Sequence, residues 1–222
     1  MTFEKARIAM VESQLRPNGV RDTRILNAFA TLPRECFVQS QQQALAYMDD
    51  ALPVAAAAAG VPARSLLPPM VLARLLQFAA PQPKDRVLDI GGATGYSAAI
   101  LARLCENVIA LEDRKEIAEE MKRCLELAKV SGVAIQIGPL NEGFAASKPY
   151  DLIVIAGAVA AEPKGLFDQL SESGRLVTVI RQGWFGQAYL FSKNEGAISG
   201  RAIFDAGADI LPGFEEKPEF VF

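Results

Sequence analysis

The sequence predicts an α/β protein: a doubly wound, mostly parallel, Rossmann-like sheet with an N-terminal helical subdomain and an antiparallel C-terminal edge. Three observations carry this. Apolar runs near 87–90, 107–112, 133–138, 150–156 and 174–180 alternate with helical stretches, the rhythm of βαβ units building a parallel sheet. Residues 3 to about 47 show helical spacing throughout. Beyond Gly183 the helical signal stops, and short strand-like runs at 188–191 and 201–204 fit antiparallel strands added to an edge.

Taken in order, Ile8, Val11 and Leu15 share one helical face, and Ile25, Leu26, Phe29 and Leu32 share another after the Pro17-Asn18-Gly19 break. Residues 50–69 are rich in Ala and Pro without a period, so a loop lying over something is expected there. The alanine run from Ala55 to Ala59 is too short to span a membrane and is flanked by Pro53 and Pro62. A short helix carrying Val71, Leu72, Leu75 and Leu76 leads to the Pro81-Gln82-Pro83 turn, where a division into residues 1–80 and 81–222 is placed. Residues 114–129 form the clearest helix: Ile117, Met121, Leu125 and Ala128 make an apolar stripe, while Glu116, Glu119, Glu120, Lys122 and Arg123 face water. Trp184 and Phe185 are read as core or interface rather than as an exposed lip, because aromatic pairs in β segments are usually packed.

Composition narrows the chemistry. The 222 residues are half hydrophobic, enough for one large domain with a real core. A net charge of -3 gives no basic stripe for phosphate backbones, so no nucleic-acid partner is expected. With no histidine in the chain, His-dependent triads and His-metal ligation drop out, and no metal site is expected. Cys36, Cys105 and Cys124 are odd in number and lack CxxC spacing, which points to a reducing, cytoplasmic setting. No apolar signal core or membrane span is read.

The segment Val87-Leu88-Asp89-Ile90-Gly91-Gly92-Ala93-Thr94-Gly95 is the most informative stretch. An apolar strand ends in an acid and breaks into a glycine turn that opens a helix, which is where a nucleotide-like ligand sits in an open α/β sheet. Dinucleotide spacing fails in both frames, since Ala93 and Tyr96, or Thr94 and Ser97, stand where glycines belong. The frame Asp89-Ile90-Gly91-x-Ala93-x-Gly95 resembles the D/E-x-G-x-G-x-G turn of S-adenosylmethionine-dependent methyltransferases, with alanine at the middle glycine. Glu112 closes the next strand, at the distance where an acid reaches ribose hydroxyls. Asp113 beside it reads as a charge complementing the following helix dipole.

Further segments make the resemblance specific. Met10-Val11 with Gln14-Leu15, Leu32-Pro33-Arg34-Glu35-Cys36-Phe37-Val38, Ala46-Tyr47-x-Asp49, Leu52-Pro53 and Pro69-x-x-x-Ala73 precede the turn. Pro149-Tyr150-Asp151-Leu152-Ile153-Val154 and Leu166-Phe167-Asp168-Gln169-Leu170 follow it, with Gly174-Arg175-Leu176 beyond. From about residue 7 to about residue 180 the chain resembles the protein-L-isoaspartate O-methyltransferase family. That resemblance implies methylation of the isoaspartyl carboxylate in damaged proteins or peptides, with S-adenosyl-L-methionine as cofactor and S-adenosyl-L-homocysteine as product. It implies cofactor contacts at Asp89, Gly91, Gly92, Ala93, Gly95, Tyr96, Glu112 and Gly138.

The departures fall at the substrate side. Gly60-Val61-Pro62-Ala63-Arg64-Ser65-Leu66-Leu67-Pro68-Pro69 replaces the family's polar Gly-x-Gln-Thr-Ile-Ser-x-Pro loop, leaving Arg64 and Ser65 as candidate catalytic residues, Arg64 as a carboxylate anchor. Gly138-Pro139-Leu140 lacks the family's acid near the adenine, and Leu211-Pro212-Gly213-Phe214 and Phe220-Val221-Phe222 offer no counterpart to its C-terminal Val-Pro-Leu segment. A same-fold methyltransferase with another acceptor, and a non-catalytic regulatory homologue, therefore stand as alternatives.

Overall fold

The computed structural model describes residues 2–55 and 63–216. Ala56–Ala59, Gly60, Val61, Pro62 and the closing Phe220-Val221-Phe222, singled out above, lie outside the described residues.

Among the described residues, seven strands make one sheet: β3 (Arg86–Ile90), β4 (Asn107–Glu112), β5 (Val133–Ile137), β6 (Tyr150–Val159), β7 (Leu170–Gln182), β8 (Phe185–Asn194) and β9 (Ala197–Asp205). Their order is β5-β4-β3-β6-β7-β8-β9. Pairings from β5 through β7 are parallel, and β8 and β9 add antiparallel, as the alternation and the late strand signals predict. After β3 the chain moves first toward β4 and β5 and then crosses back to β6. The junction of β3 and β6 is thus the topological switch point, where open α/β sheets bind ligands.

The central strands are buried along their length because parallel strands are covered on both faces. Helix α5 (Lys115–Leu127) buries Ile117, Ala118, Met121, Cys124 and Leu125 against the sheet and turns its charges outward. Helix α3 (Pro69–Ala79) starts with proline at its first position and ends at Ala80 in a left-handed conformation, φ 47°. Arg175 staples that end to the sheet: its guanidinium donates to the carbonyls of Ala79, Ala80 and Asp151 and to the Asp85 carboxylate at 2.6–3.1 Å.

The N-terminal subdomain is less helical than its periodicity suggests. Helix α1 (Phe3–Met10) runs on through a π turn at Val11–Leu15, α2 (Thr23–Thr31) follows, and 34–37 and 40–45 are 3-10 turns. Pro33 ends the α-helical run, because a proline excludes the residue before it from α geometry. The expected loop at 50–69 is also corrected. It contains β1 (Leu52–Ala55) and β2 (Arg64–Leu66), paired antiparallel with Leu52 opposite Leu66. These strands bury their alternate residues against the rest of the molecule, a tertiary effect that the Ala/Pro composition hides. Trp184 departs from its core reading: it sits in the two-residue turn between β7 and β8, fully exposed, with Phe185 half exposed beside it.

Candidate active site

The turn between β3 and α4 (Tyr96–Leu101) brings the sequence-predicted residues to the mouth of the sheet, each for a separate physical reason. Gly91 turns at φ 74°, and a Cβ there would fall 2.5 Å from a Leu211 methyl. Gly92 has no room for a Cβ between the Asp89 carboxylate and the Ser97 hydroxyl. Gly95 caps α4 at φ 93°, and its bare Cα lets Met121 of α5 pack 2.6 Å from where a Cβ would stand. Ala93 takes the left-handed conformation, φ 54°, that a glycine would adopt without strain. Its reward is a 2.5 Å hydrogen bond from its N–H to Glu112 Oε1.

Asp89 is fully buried and accepts from Ser97 Oγ at 2.7 Å through one oxygen, while its other oxygen has no hydrogen-bond partner among the described residues. Burial pushes its pKa up to about 7, against the opposing pull of Ser97 and the Ala98 N–H. Glu112 is buried as well and pushed up to about 7 by desolvation, although Arg64 and the Ala93 N–H both favour its charge. The Tyr96 ring packs edge-on to Phe29 and Phe37, centroids 5.9 and 5.5 Å apart, and under the Arg34 guanidinium at 4.6 Å. Gly138 follows β5, and its N–H donates to the Glu112 carbonyl at 2.9 Å.

Arg64 and Ser65 do not stand free. The Arg64 guanidinium, 1% exposed, donates from Nη2 to both Glu112 oxygens at 3.1 and 2.9 Å and from Nη1 to Asp113 Oδ1 at 2.9 Å. Ser65 Oγ donates to Asp209 Oδ2 at 3.1 Å. Sequence reasoning set Arg64 and Glu112 in different roles; the fold joins them across 48 residues.

One participant escaped the sequence reading. Leu211 lies 4% exposed at the switch point, and a Cβ on Gly157 would meet its side chain at 2.5 Å, as one on Gly91 would. Its segment is held by backbone hydrogen bonds from Ala158 to the Asp209 carbonyl, from Leu211 to the Ala158 carbonyl and from Ala160 to the Phe214 carbonyl, all 2.8–2.9 Å. The available signal was the short apolar run Ile210-Leu211-Pro212 after the last strand. Among the described residues, voids of about 10 Å³ lie beside the turn with Arg64 and Leu211 in place, lined by Ser65, Leu67, Gly92, Ser97 and Gly157 among others.

Comparison with known proteins agrees with the architecture. The sequence pattern of the family described as protein-L-isoaspartate(D-aspartate) O-methyltransferase matches residues 6–205. A protein-L-isoaspartate O-methyltransferase of Koribacter versatilis is 35% identical over 203 residues, 91% of this chain and 89% of that one. One from Methanoculleus marisnigri is 34% identical over 194 residues, 87% and 86% of the two chains. A solved protein-L-isoaspartate O-methyltransferase superposes with a TM-score of 0.80 at 27% identity, covering 96% of this chain and 66% of the other. A Plasmodium falciparum chain of the same description, in complex with S-adenosyl-L-homocysteine, superposes at 0.76 with 20% identity, over 92% and 97% of the two chains, and shares the fold. The chain belongs to the protein-L-isoaspartate O-methyltransferase family.

Proposed function

We propose that the chain is an S-adenosylmethionine-dependent carboxyl methyltransferase acting on isoaspartyl residues of proteins or peptides. The observation that supports this most is the family match across residues 6–205, together with a buried acid, Glu112, at the tip of the strand next to the glycine turn. The reaction suits a chain without histidine, because a carboxylate acceptor is already ionised near neutral pH and needs no base. S-adenosylmethionine supplies an electrophilic methyl group.

The donor set matches this cofactor in chemistry, but the space does not. Glu112 already accepts from Ala93 and Arg64, Leu211 covers the bare backbone of Gly91 and Gly157, and voids of about 10 Å³ are far below a small-molecule pocket of roughly 300 Å³ or more. S-adenosylmethionine does not fit the conformation described. In this conformation the turn's N–H groups are used within the protein, Gly91 to the Leu111 carbonyl, Ala93 to Glu112 Oε1 and Gly95 to the Gly92 carbonyl, and the N-terminal subdomain packs on the turn through Tyr96 and Thr94, whose hydroxyl donates to the Phe37 carbonyl at 2.6 Å.

Methyl transfer from radiolabelled S-adenosylmethionine to an isoaspartyl peptide, with the ordinary aspartyl peptide as control, tests the activity. Label on the isoaspartyl peptide alone is the expected result. The filled cleft favours a second reading, a family member that no longer catalyses. Binding of S-adenosyl-L-homocysteine without any transfer of label would select it.

A further inference from the structure

We infer that this chain holds its own cofactor cleft shut, with Arg64 occupying the Glu112 carboxylate and Leu211 occupying the glycine cradle at the β3–β6 switch point. The inference rests on the proposed cofactor, and it concerns how that cofactor gains entry.

Two independent parts of the chain meet here. From one side, β2 carries Arg64 inward, and its guanidinium uses both Glu112 oxygens and Asp113. A ribose would need the same Glu112 oxygens. From the other side, the segment after β9 returns to the sheet, pairs with Ala158 through its backbone as a one-bridge extension beside β6, and inserts Leu211. The isobutyl group lies directly on Gly91 and Gly157, the two positions where a missing Cβ gives a ligand its closest approach to the strand ends. The two blocks are tied together. Ser65, next to Arg64, donates to Asp209, and Arg181 holds the Ala208 carbonyl at 3.2 Å with Asp209 3.9 Å away. Displacing one therefore loosens the other.

The closure is held at one end by an ion pair in which Arg64 Nη2 reaches both Glu112 oxygens and Nη1 reaches Asp113, and at the other by three backbone hydrogen bonds and one apolar side chain. Entry of the cofactor requires Arg64 to leave Glu112 and Leu211 to leave the glycines. Because bound and closed states exclude each other, the intrinsic affinity is divided by the reciprocal of the open fraction, so removing either block raises the apparent affinity.

The test is calorimetric titration of S-adenosyl-L-homocysteine into the full chain and into Arg64→Ala, Leu211→Ala and the double variant. Hydrogen exchange at Ala158, Ala160 and Leu211 is followed alongside. Each single variant is expected to bind at least tenfold more tightly than the unaltered chain, the double variant more tightly again. In the unaltered chain, binding should accelerate exchange at those three amides. If Arg64→Ala does not fold, Leu211→Ala alone carries the comparison. Equal affinity in all four proteins with unchanged exchange would overturn the inference, as would no binding by any of them. So would an Arg64→Ala protein with unaltered affinity and reduced methyl transfer, the outcome if Arg64 anchored an acceptor carboxylate. Tighter binding without transfer to an isoaspartyl peptide would leave the closure standing and remove the proposed acceptor.

Discussion

The Arg64–Glu112 pair has a stability of its own that a double-mutant cycle can measure. Arg64→Met keeps most of the side-chain volume without the charge, and Glu112→Gln keeps an acceptor for the Ala93 N–H. Both partners are essentially without solvent, 1% and 0% exposed at the side chain, and two N–H to oxygen contacts of 2.9 and 3.1 Å join them. Opposite charges about 4 Å apart attract by roughly 4 kcal/mol at an effective dielectric constant near 20. Breaking a buried pair by removing one partner costs about 3–5 kcal/mol, whereas removing both leaves no stranded charge. Two features reduce the single-variant losses. Arg64 retains Asp113, and Glu112, already raised to about 7, sheds its charge by taking a proton when Arg64 is gone. The expected coupling is about 2–4 kcal/mol. It should be read by denaturant unfolding at pH 8, where Glu112 is ionised, and as melting-temperature differences of roughly 2–4 °C for each kcal/mol. Coupling should shrink as pH falls below about 7 and Glu112 loses its charge. Additive single variants at pH 8 would show that the pair does not form in solution and that the cleft stands open.

Two further outcomes follow from the turn. Asp89 has a folded pKa near 7, raised above its ordinary 3.8, so the folded state binds the proton more tightly than the unfolded one. Its stabilising contribution is complete below pH 4 and is lost as pH rises through 7; Glu112 shifts the same way. Asp89→Asn should flatten the fall in unfolding free energy between pH 4 and 7, and an unchanged slope would mean the carboxyl is hydrated. Ala93 holds φ 54°, a conformation costing an L residue about 1–2 kcal/mol, so Ala93→Gly should gain about 0.5–1 kcal/mol after the extra entropy of glycine in the unfolded chain. A loss of stability in urea titration would place that residue in ordinary geometry.

Much of this protein was legible from its sequence because the signals are local. The β3 turn declares itself within nine residues, since an apolar strand, an acid and glycines in succession leave few backbone paths. The α5 stripe and the antiparallel strands β8 and β9 follow from periodicities that burial on one face, or pairing at an edge, enforces. The short β1–β2 pair and the exposure of Trp184 were not legible, because they depend on which distant surface lies opposite.

The candidate site divides along the same line. The sequence by itself set Asp89, the glycines and Glu112 at the strand ends, where it leads one to expect a nucleotide-like ligand, because strand and turn geometry is set by neighbouring residues. Only the tertiary structure decided what fills that place. Arg64 and Leu211 arrive from β2 and from the segment after β9, and no local periodicity records that a cation will meet Glu112 or that an isobutyl group will rest on Gly91 and Gly157. Burial and charge pairing are properties of the space between elements, and they are fixed only once the sheet and its returning chain end have packed together.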